Sequence, residues 1–584
     1  MITQVLPEAP FEAPQIMWSV LSPVLIVAGA GVFSVLIEAF VPAKFRRATQ
    51  IAVVLLAQVA ALLTLIWLGV RHFGSGNLGP ALPVNQAIHF DSWTLAIQVL
   101  LIVCSLLATL VLIDRTSARL DPFAPTAAAV PGSQYEELAR TKGLQQTEVF
   151  PLMLFAITGM MVFPAAGDLV TMFVALEVLS LPLYVLTAMA RRRRLLSQEA
   201  ALKYFVLGSF ASALFLFGGA LLYGYSGSVT LIGIAQAASA HAQSGQSAEF
   251  GLLLIMGIVL LLAGVLFKIG AVPFQAWTPD VYQGAPTAIT GFMAACTKIA
   301  AVGLFLRLVI YLVLNSSEEV SHALQRGLWV VAIATMIVGT IVGLTQTDMK
   351  RMLAYSSIAH AGFLLVAILG LADYTLSAVF FYLLVYGVST VGAFGVVTLV
   401  REIGPEGEIL GEATHIGQWA GLGKRSPFIA GIFSLFLLSF AGVPLTAGFI
   451  AKYSAFSSAF AGGNEVLAFV GVGASAISLF FYIRVMVLMY FVAPAEDRNI
   501  SGESTQSGRN LADPAEDDVV SSAPEGENAA VRTSVVVLET APHVAVVKAE
   551  GTAYAAILLS AGFVLWAGLF PAPLLELLVN FLGF

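Results

Sequence analysis

The sequence predicts an all-α integral membrane protein of about fourteen transmembrane helices. Hydrophobic residues make up 58% of its 584 positions and charged residues only 11%. A chain this apolar lacks the polar groups to cover a water-facing surface, so its solvent must be lipid. The apolar residues also fall in continuous Leu-, Ala-, Val- and Phe-rich runs. Their lengths suit the ~20 residues a helix needs to cross a hydrocarbon core. A membrane barrel would show short alternating strands instead.

In chain order the spans read as 16–40, 48–70, 91–113, 145–165, 167–190, 199–226, 250–277, 285–313, 326–345, 350–371, 373–400, 427–460, 464–492 and 551–574. The N-terminal stretch MITQVLPEAPFEAP has no basic segment, so the first span is expected to be retained rather than cleaved as a signal. Basic residues alternate between the two ends of successive spans. One side carries Lys44, Arg46, Arg47, Arg115, Arg119, Arg140, Lys142, Arg191 to Arg194, Lys350, Arg351, Arg401, Lys424 and Arg425; the other carries only Arg71 and Arg326. The positive-inside rule makes the first side cytoplasmic, with both termini on the outer face. Cys104 and Cys296 lie in spans far apart in sequence and suggest neither a disulfide framework nor a metal centre.

Two polar stretches interrupt the spans. Residues 115–145 form a Pro-containing cytoplasmic connection. Residues 493–550 hold eleven acidic against four basic residues, a net −7 that equals the imbalance of the whole chain. The first half of this insert has the composition of a disordered segment, and the second half is expected to form a short hairpin or surface strand. A solvated loop and a docking surface are both compatible with it.

Two spans are long and interrupted by proline. One contains Lys268 and Pro273; the other, Ser439 to Tyr453, contains Pro444 and Lys452. Proline frees a backbone carbonyl that must find a polar partner in lipid, and broken helices in corresponding halves of a chain point to inverted repeats around a polar pathway. Charges lie beside these breaks and elsewhere in the spans. Glu177 and Lys298 are mid-span, Lys268 and Lys452 flank the breaks, and Lys203 lies nearer the cytoplasmic end. Each charge at the bilayer centre costs roughly 2.5–3.5 kcal/mol if isolated, so these groups are expected to pair across helices around a hydrated interior. Burial favours the neutral amine of a lysine and a neighbouring carboxylate favours the ammonium, so a lysine whose partner changes can pass a proton.

Other polar residues admit simpler readings. Snorkelling to the interface competes with a relay role for Lys203. Arg307 reads as a snorkelled or paired structural residue, and Glu38 and Asp168 as interface or cap residues. His360, accompanied by Tyr355, Ser356 and Ser357, fits either a proton path or a hydrogen-bonded core. The remaining histidines show no ligand spacing, so no metal is expected. The stretch GLGKRS at 421–426 lacks the register of a phosphate loop, and no dinucleotide fingerprint occurs. Neither nucleotide nor nucleic acid is an expected ligand.

Several runs resemble a known family. FKIGAVPFQAWTPDVYQGAPTAITGFMAACTKIA (Phe267 to Ala300), LEVLSLPLY, EAALKYFVLGSFASALFLFG, QTDMKRMLAYSSIAHAGFLL and SFAGVPLTAGFIAKY are similar to the N subunit of proton-pumping NADH–quinone oxidoreductase, respiratory complex I. The likeness covers most of the chain apart from 115–145 and 493–550. It implies two inverted five-helix repeats, each with a discontinuous helix, and a hydrophilic axis along the membrane. The organisation it suggests is 1–144 as three N-terminal helices with the connection, 145–313 and 326–492 as the repeats, 493–550 as the acidic insert and 551–584 as a last helix. Matched by motif, Glu177, Lys203, Lys268, Lys298 and Lys452 fall on the family's charged positions, and His360 joins them as a candidate for proton translocation. The resemblance further implies a translocase subunit of an inner (cytoplasmic) membrane with no redox centre of its own. NADH, flavin (FMN), iron–sulfur clusters and quinone would belong to partners: other membrane subunits, sister antiporter-like subunits among them, and a peripheral NADH-oxidising arm. The competing readings are a subunit of a multisubunit cation/proton antiporter, and a scaffold whose buried charges only fix helix register. The TPDVYQGAP stretch favours the respiratory subunit.

Overall fold

The computed structural model describes residues 16–74, 81–84, 86–115, 121–125, 131, 133–142, 147–244, 248–404, 409–493, 543–547 and 551–582. Helices α1 (Trp18–Phe40), α2 (Ala43–Gly74) and α3 (Ser92–Leu112) form an N-terminal group. The antiparallel strands β1 (Ala81–Val84) and β2 (Ile88–Phe90) lie between α2 and α3. In the polar connection that follows, α4 (Gln134–Thr141) is a short helix.

Two runs of five membrane helices come next, and the fourth helix of each is broken. The first run is α5 (Val149–Val162), α6 (Leu169–Thr187), α7 (Arg194–Ser226), a broken pair and a final rod; α8 (Leu231–Ser244) precedes the pair. That pair is α9 (Ala248–Ile269) and α10 (Trp277–Gly284). The rod runs from α11 (Thr287–Phe292) through a π-helical turn, Met293–Thr297, into α12 (Lys298–Leu308) and a second π turn, Val309–Val313. The second run comprises α13 (Glu318–Thr345), α14 (Met349–Gly370), α15 (Thr375–Leu399), a broken pair and a last helix. Before that pair come β3 (Val400–Ile403), β4 (Ile409–Glu412) and α16 (Leu422–Arg425); the pair is α17 (Pro427–Ala441) and α18 (Ala447–Ala461), and α19 (Glu465–Phe491) closes the run. The chain ends with β5 (His543–Val546), α20 (Thr552–Leu569) and α21 (Ala572–Leu582).

Among the described residues, twelve helices are long and apolar enough to cross a membrane. The expected spans 145–165 and 427–460 are not among them: the first is the shorter helix Val149–Ala165 and the second is split in two. The count of fourteen therefore depends on these shorter pieces. The span expected at 250–277 also ends early, at Ile269. Starts are set by side-chain caps. Asp91, Asp168 and Asp348 accept the backbone N–H of Thr94, Thr171 and Arg351 at 2.8, 2.7 and 3.0 Å, replacing a donor the helix leaves unsatisfied. Asp168 is thus a cap, as its position suggested.

The core lies where the two runs meet. The most apolar stretches of α14 and α15 are 94% buried, against 33% for α1 and α2, which places α14 and α15 inside and α1 and α2 against lipid or a partner. Most of the acidic insert, 494–542, lies outside the described residues. Its C-terminal part supplies β5, which pairs antiparallel with β3 from Val400↔Val546 to Ile403↔His543.

Both breaks use the same backbone device. Gly270 and Gly442 each have φ +79°, a left-handed conformation that glycine adopts without a Cβ penalty. The N–H of Ala271 and of Val443 reaches back to Leu266 O and Leu438 O, each at 3.0 Å, closing the helix end. Pro273 and Pro444 lie within the linkers that follow, so glycine ends each helix and proline prevents its resumption.

Candidate functional site

The first break brings Lys268 to the last turn of α9, where carbonyl dipoles favour a cation. Its side chain is buried, and Nζ has no hydrogen-bond partner among the described residues. The ammonium instead lies 5.4 Å and 5.0 Å from the ring centroids of Tyr184 and Tyr204, where the ring faces attract it. Glu177, on the adjacent α6, interacts with it electrostatically, and one Glu177 carboxylate oxygen is itself buried without a partner among the described residues.

Lys298 begins α12 directly after the π turn and is 2% exposed. Its ammonium donates to the backbone carbonyl of Ser357 and, at 2.6 Å, to Ser357 Oγ. Tyr386 donates to the same Oγ at 2.7 Å and presents its ring 4.9 Å from the ammonium. One turn along α14, His360 Nδ1 lies 2.7 Å from the Tyr382 hydroxyl, while Nε2 has no partner among the described residues. His360 interacts electrostatically with both Lys298 and Lys452. Lys452, on α18, reaches back to the end of α17, donating to Ala441 O at 3.0 Å and Ser475 Oγ at 2.8 Å beside the Phe363 ring. Lys298, His360 and Lys452 thus share one buried polar interior, and Lys268 with Glu177 forms a second cluster.

Lys203 stands apart. Its side chain is 43% exposed and pairs with Glu199 at 2.7 Å and Asp280 at 2.9 Å. Asp280 also receives Arg351 at 2.6 Å, so Lys203 belongs to an ion network at the α10–α14 contact. Arg307 is paired rather than snorkelled: two of its nitrogens meet Asp91 at 2.9 and 3.1 Å, and Nε donates to Pro164 O. Burial alone would raise the Asp91 carboxyl, but Arg307 and the Thr94 bonds hold it below its ordinary range. His89, beside this pair, is pushed down to about 4 by burial and by Arg307.

Sequence reasoning missed a cluster at the basic end of the rod. A cleft there is lined by Arg191, Arg193, Gln283, Lys350, Arg401 and Glu412. Glu412, from β4, accepts a hydrogen bond from Thr287 at the start of α11 and lies 3.6 Å from Lys350 and 3.8 Å from Arg401. Burial would raise its carboxyl, yet the two cations hold it below its usual range. Lys350 also donates to Ala285 O at 2.7 Å. The cluster therefore ties together the helices that carry Lys298 and Ser357. No sequence spacing connects Glu412 to either helix; only the fold does.

Comparison with known proteins separates the respiratory reading from the antiporter reading. Residues 166–478 match the family described as NADH:quinone oxidoreductase/Mrp antiporter, TM. The chain is 48% identical to NADH-quinone oxidoreductase subunit N of Beutenbergia cavernae, covering 98% of both chains. The chain belongs to the NADH-quinone oxidoreductase subunit N family. The Mycobacterium tuberculosis subunit N is 46% identical over 83% of this chain and 91% of its own. Among solved structures, a chain of Thermus thermophilus respiratory complex I with bound aureothin matches at 27% identity and TM-score 0.67, covering 95% of this chain and 99% of its own. A chain of the Mrp complex from Dietzia sp. shares the fold at 21% identity and TM-score 0.69, covering 96% of each. Subunit N relatives at more than twice that identity, one of them over 98% of both chains, favour membership here over the antiporter alternative.

Proposed function

We propose that this chain is a membrane-arm subunit of NADH–quinone oxidoreductase that translocates protons across the membrane, driven by electron transfer from NADH to quinone in other subunits. The observation that carries this reading is the set of buried lysines joined by His360, Ser357 and Tyr386 in a chain that covers 98% of a subunit N relative. Glu177 and Lys268 form the end of the path that responds to charge. Neutralising or moving Glu177 removes the charge that favours the Lys268 ammonium, which then gives up its proton. Lys298 receives and passes protons through the Ser357–Tyr386 cluster, and His360 links it to Lys452. The chain acts as one subunit of a translocase.

The redox groups, FMN and iron–sulfur clusters, belong to partner subunits in this reading, as do the NADH and quinone sites. The partners are other membrane subunits, sister antiporter-like subunits and a peripheral NADH-oxidising arm. The membrane is the inner (cytoplasmic) one, with both termini on the outer face. The two runs of helices act as repeats over 145–313 and 326–492, each with its own break, after an N-terminal unit at 1–144. An acidic cytoplasmic insert at 493–550 and the last helix at 551–584 complete the chain.

The test is purification of the tagged chain from native membranes in mild detergent, with its companions identified by mass spectrometry. Recovery of flavin- and iron–sulfur-bearing NADH-oxidising subunits is the expected result. Recovery of small membrane subunits alone would favour the antiporter instead.

A further inference from the structure

A groove at the basic end of the bundle, between the start of α2, the end of α3 and the end of α4, is lined by Lys44, Arg47, Arg115 and Lys142 with Ala48 and Ile51. Arg47 and Arg115 are fixed in place: both meet Asp121 Oδ1 at 2.9 Å, and Arg47 also donates to Ile113 O at 2.7 Å. Lys44 and Lys142 form no ion pair with any carboxylate among the described residues, and the Lys44 ammonium rests 5.6 Å from the Phe45 ring centroid. The described lining of the groove holds four cationic side chains and no carboxylate, which makes it positive.

The groove borders an apolar belt. From Lys44, side chains at helical spacing climb α2 as Ala48, Ile51, Leu55 and Val59. Val59 is 41% exposed and its neighbour Leu56 68%, while Phe40 at the end of α1 is 81% exposed. A cationic groove that opens onto a vertical apolar track has the chemistry of one ligand: a phosphate head with acyl chains. A free phosphate would satisfy the cations and leave the track unused. Basic pockets of this kind beside transmembrane helices attract anionic lipid at about 1 kcal/mol for each cation near the surface.

We propose that this groove binds an anionic phospholipid, its phosphate held by Lys44, Arg47, Arg115 and Lys142 and its chains lying along α2. The site is separate from the buried lysines and does not depend on their role.

The test uses the assembled complex reconstituted in phosphatidylcholine vesicles doped with photoactivatable phosphatidylglycerol. Cross-links are expected on residues 40–59 of this chain, chased by unlabelled phosphatidylglycerol but by neither phosphatidylcholine nor inorganic phosphate. The double variant Lys44→Gln/Lys142→Gln is expected to lose labelling by roughly 30-fold, about fivefold per cation. The Lys44→Arg/Lys142→Arg variant is expected to keep it, which controls for assembly. Equal labelling of the Gln variant, or chase by phosphatidylcholine, would reduce the groove to ordinary boundary lipid and overturn the proposal. Chase by inorganic phosphate would make it a free-anion site. Cross-links from this groove to a neighbouring subunit, with none to lipid, would make it a protein interface.

Discussion

The two broken helices are built alike and solvate their lysines differently. Each ends at a glycine with φ +79° and continues through a linker holding a proline. Each glycine packs against the second half of its pair: a Cβ on Gly270 would meet Thr278 Oγ1 at 2.9 Å, and one on Gly442 would meet Lys452 Cδ at 2.8 Å. Beyond this the two sites diverge. Lys268 lies against aromatic faces and depends on Glu177 for its compensating charge. Lys452 is held by two neutral oxygens, Ala441 O and Ser475 Oγ. The backbone fixes where a cation sits, and the surrounding groups fix whether a second charge can control it. In this account the first break is the responsive site and the second is a fixed station.

Removing the responsive cation is expected to have the largest effect. Lys268→Ala is expected to cut coupled NADH–quinone turnover by roughly 100-fold, the scale of a lost positioned proton carrier, while the complex assembles normally. Turnover and subunit composition measured on the same preparation check this; loss of assembly would make Lys268 structural. Next in size is Glu177→Gln, expected to lower proton pumping by about tenfold, or about 1.4 kcal/mol, within the roughly 0.5–3 kcal/mol by which coupled residues interact. A double-mutant cycle sharpens the contrast: Glu177→Gln should add little to Lys268→Ala and act independently of Lys452→Ala. Unchanged pumping by an assembled Glu177→Gln complex would support the scaffold reading. The smallest effect is expected from Ser475→Ala, which removes one neutral hydrogen bond to Lys452. At about 1 kcal/mol it should slow pumping by only a fewfold and leave Glu177→Gln effects unaltered, as read from initial rates in proteoliposomes.

Much of this arrangement was legible in the sequence because membranes tax charge locally. Lys268, Lys298 and Lys452 announce themselves by lying in apolar runs, and the structure buries all three. The paired role of Arg307 and the capping role of Asp168 were readable for the same reason. What escaped depends on contacts between distant segments. Tyr382 and Tyr386 are spaced four apart on α15, an available signal, but only packing against α14 turns them into partners for His360 and Ser357. Lys203 was expected at a family position from its motif, yet Asp280, 77 residues later, draws it into a surface network. The glycines that end the broken helices were masked by the nearby prolines, which are the stronger sequence punctuation. The partner of β5 was equally hidden, because β3 lies on the other side of a membrane helix pair and the acidic insert.

If the buried lysines form the proton path of this subunit, Lys298 is the residue to remove, because it sits between the two breaks with no carboxylate partner among the described residues. The measurement is protons translocated per NADH oxidised by the purified complex in sealed proteoliposomes, comparing the unaltered chain with Lys298→Ala at equal assembly. Fewer protons per NADH, or a loss of coupled turnover, is the expected result. The same proton yield at the same turnover would contradict it.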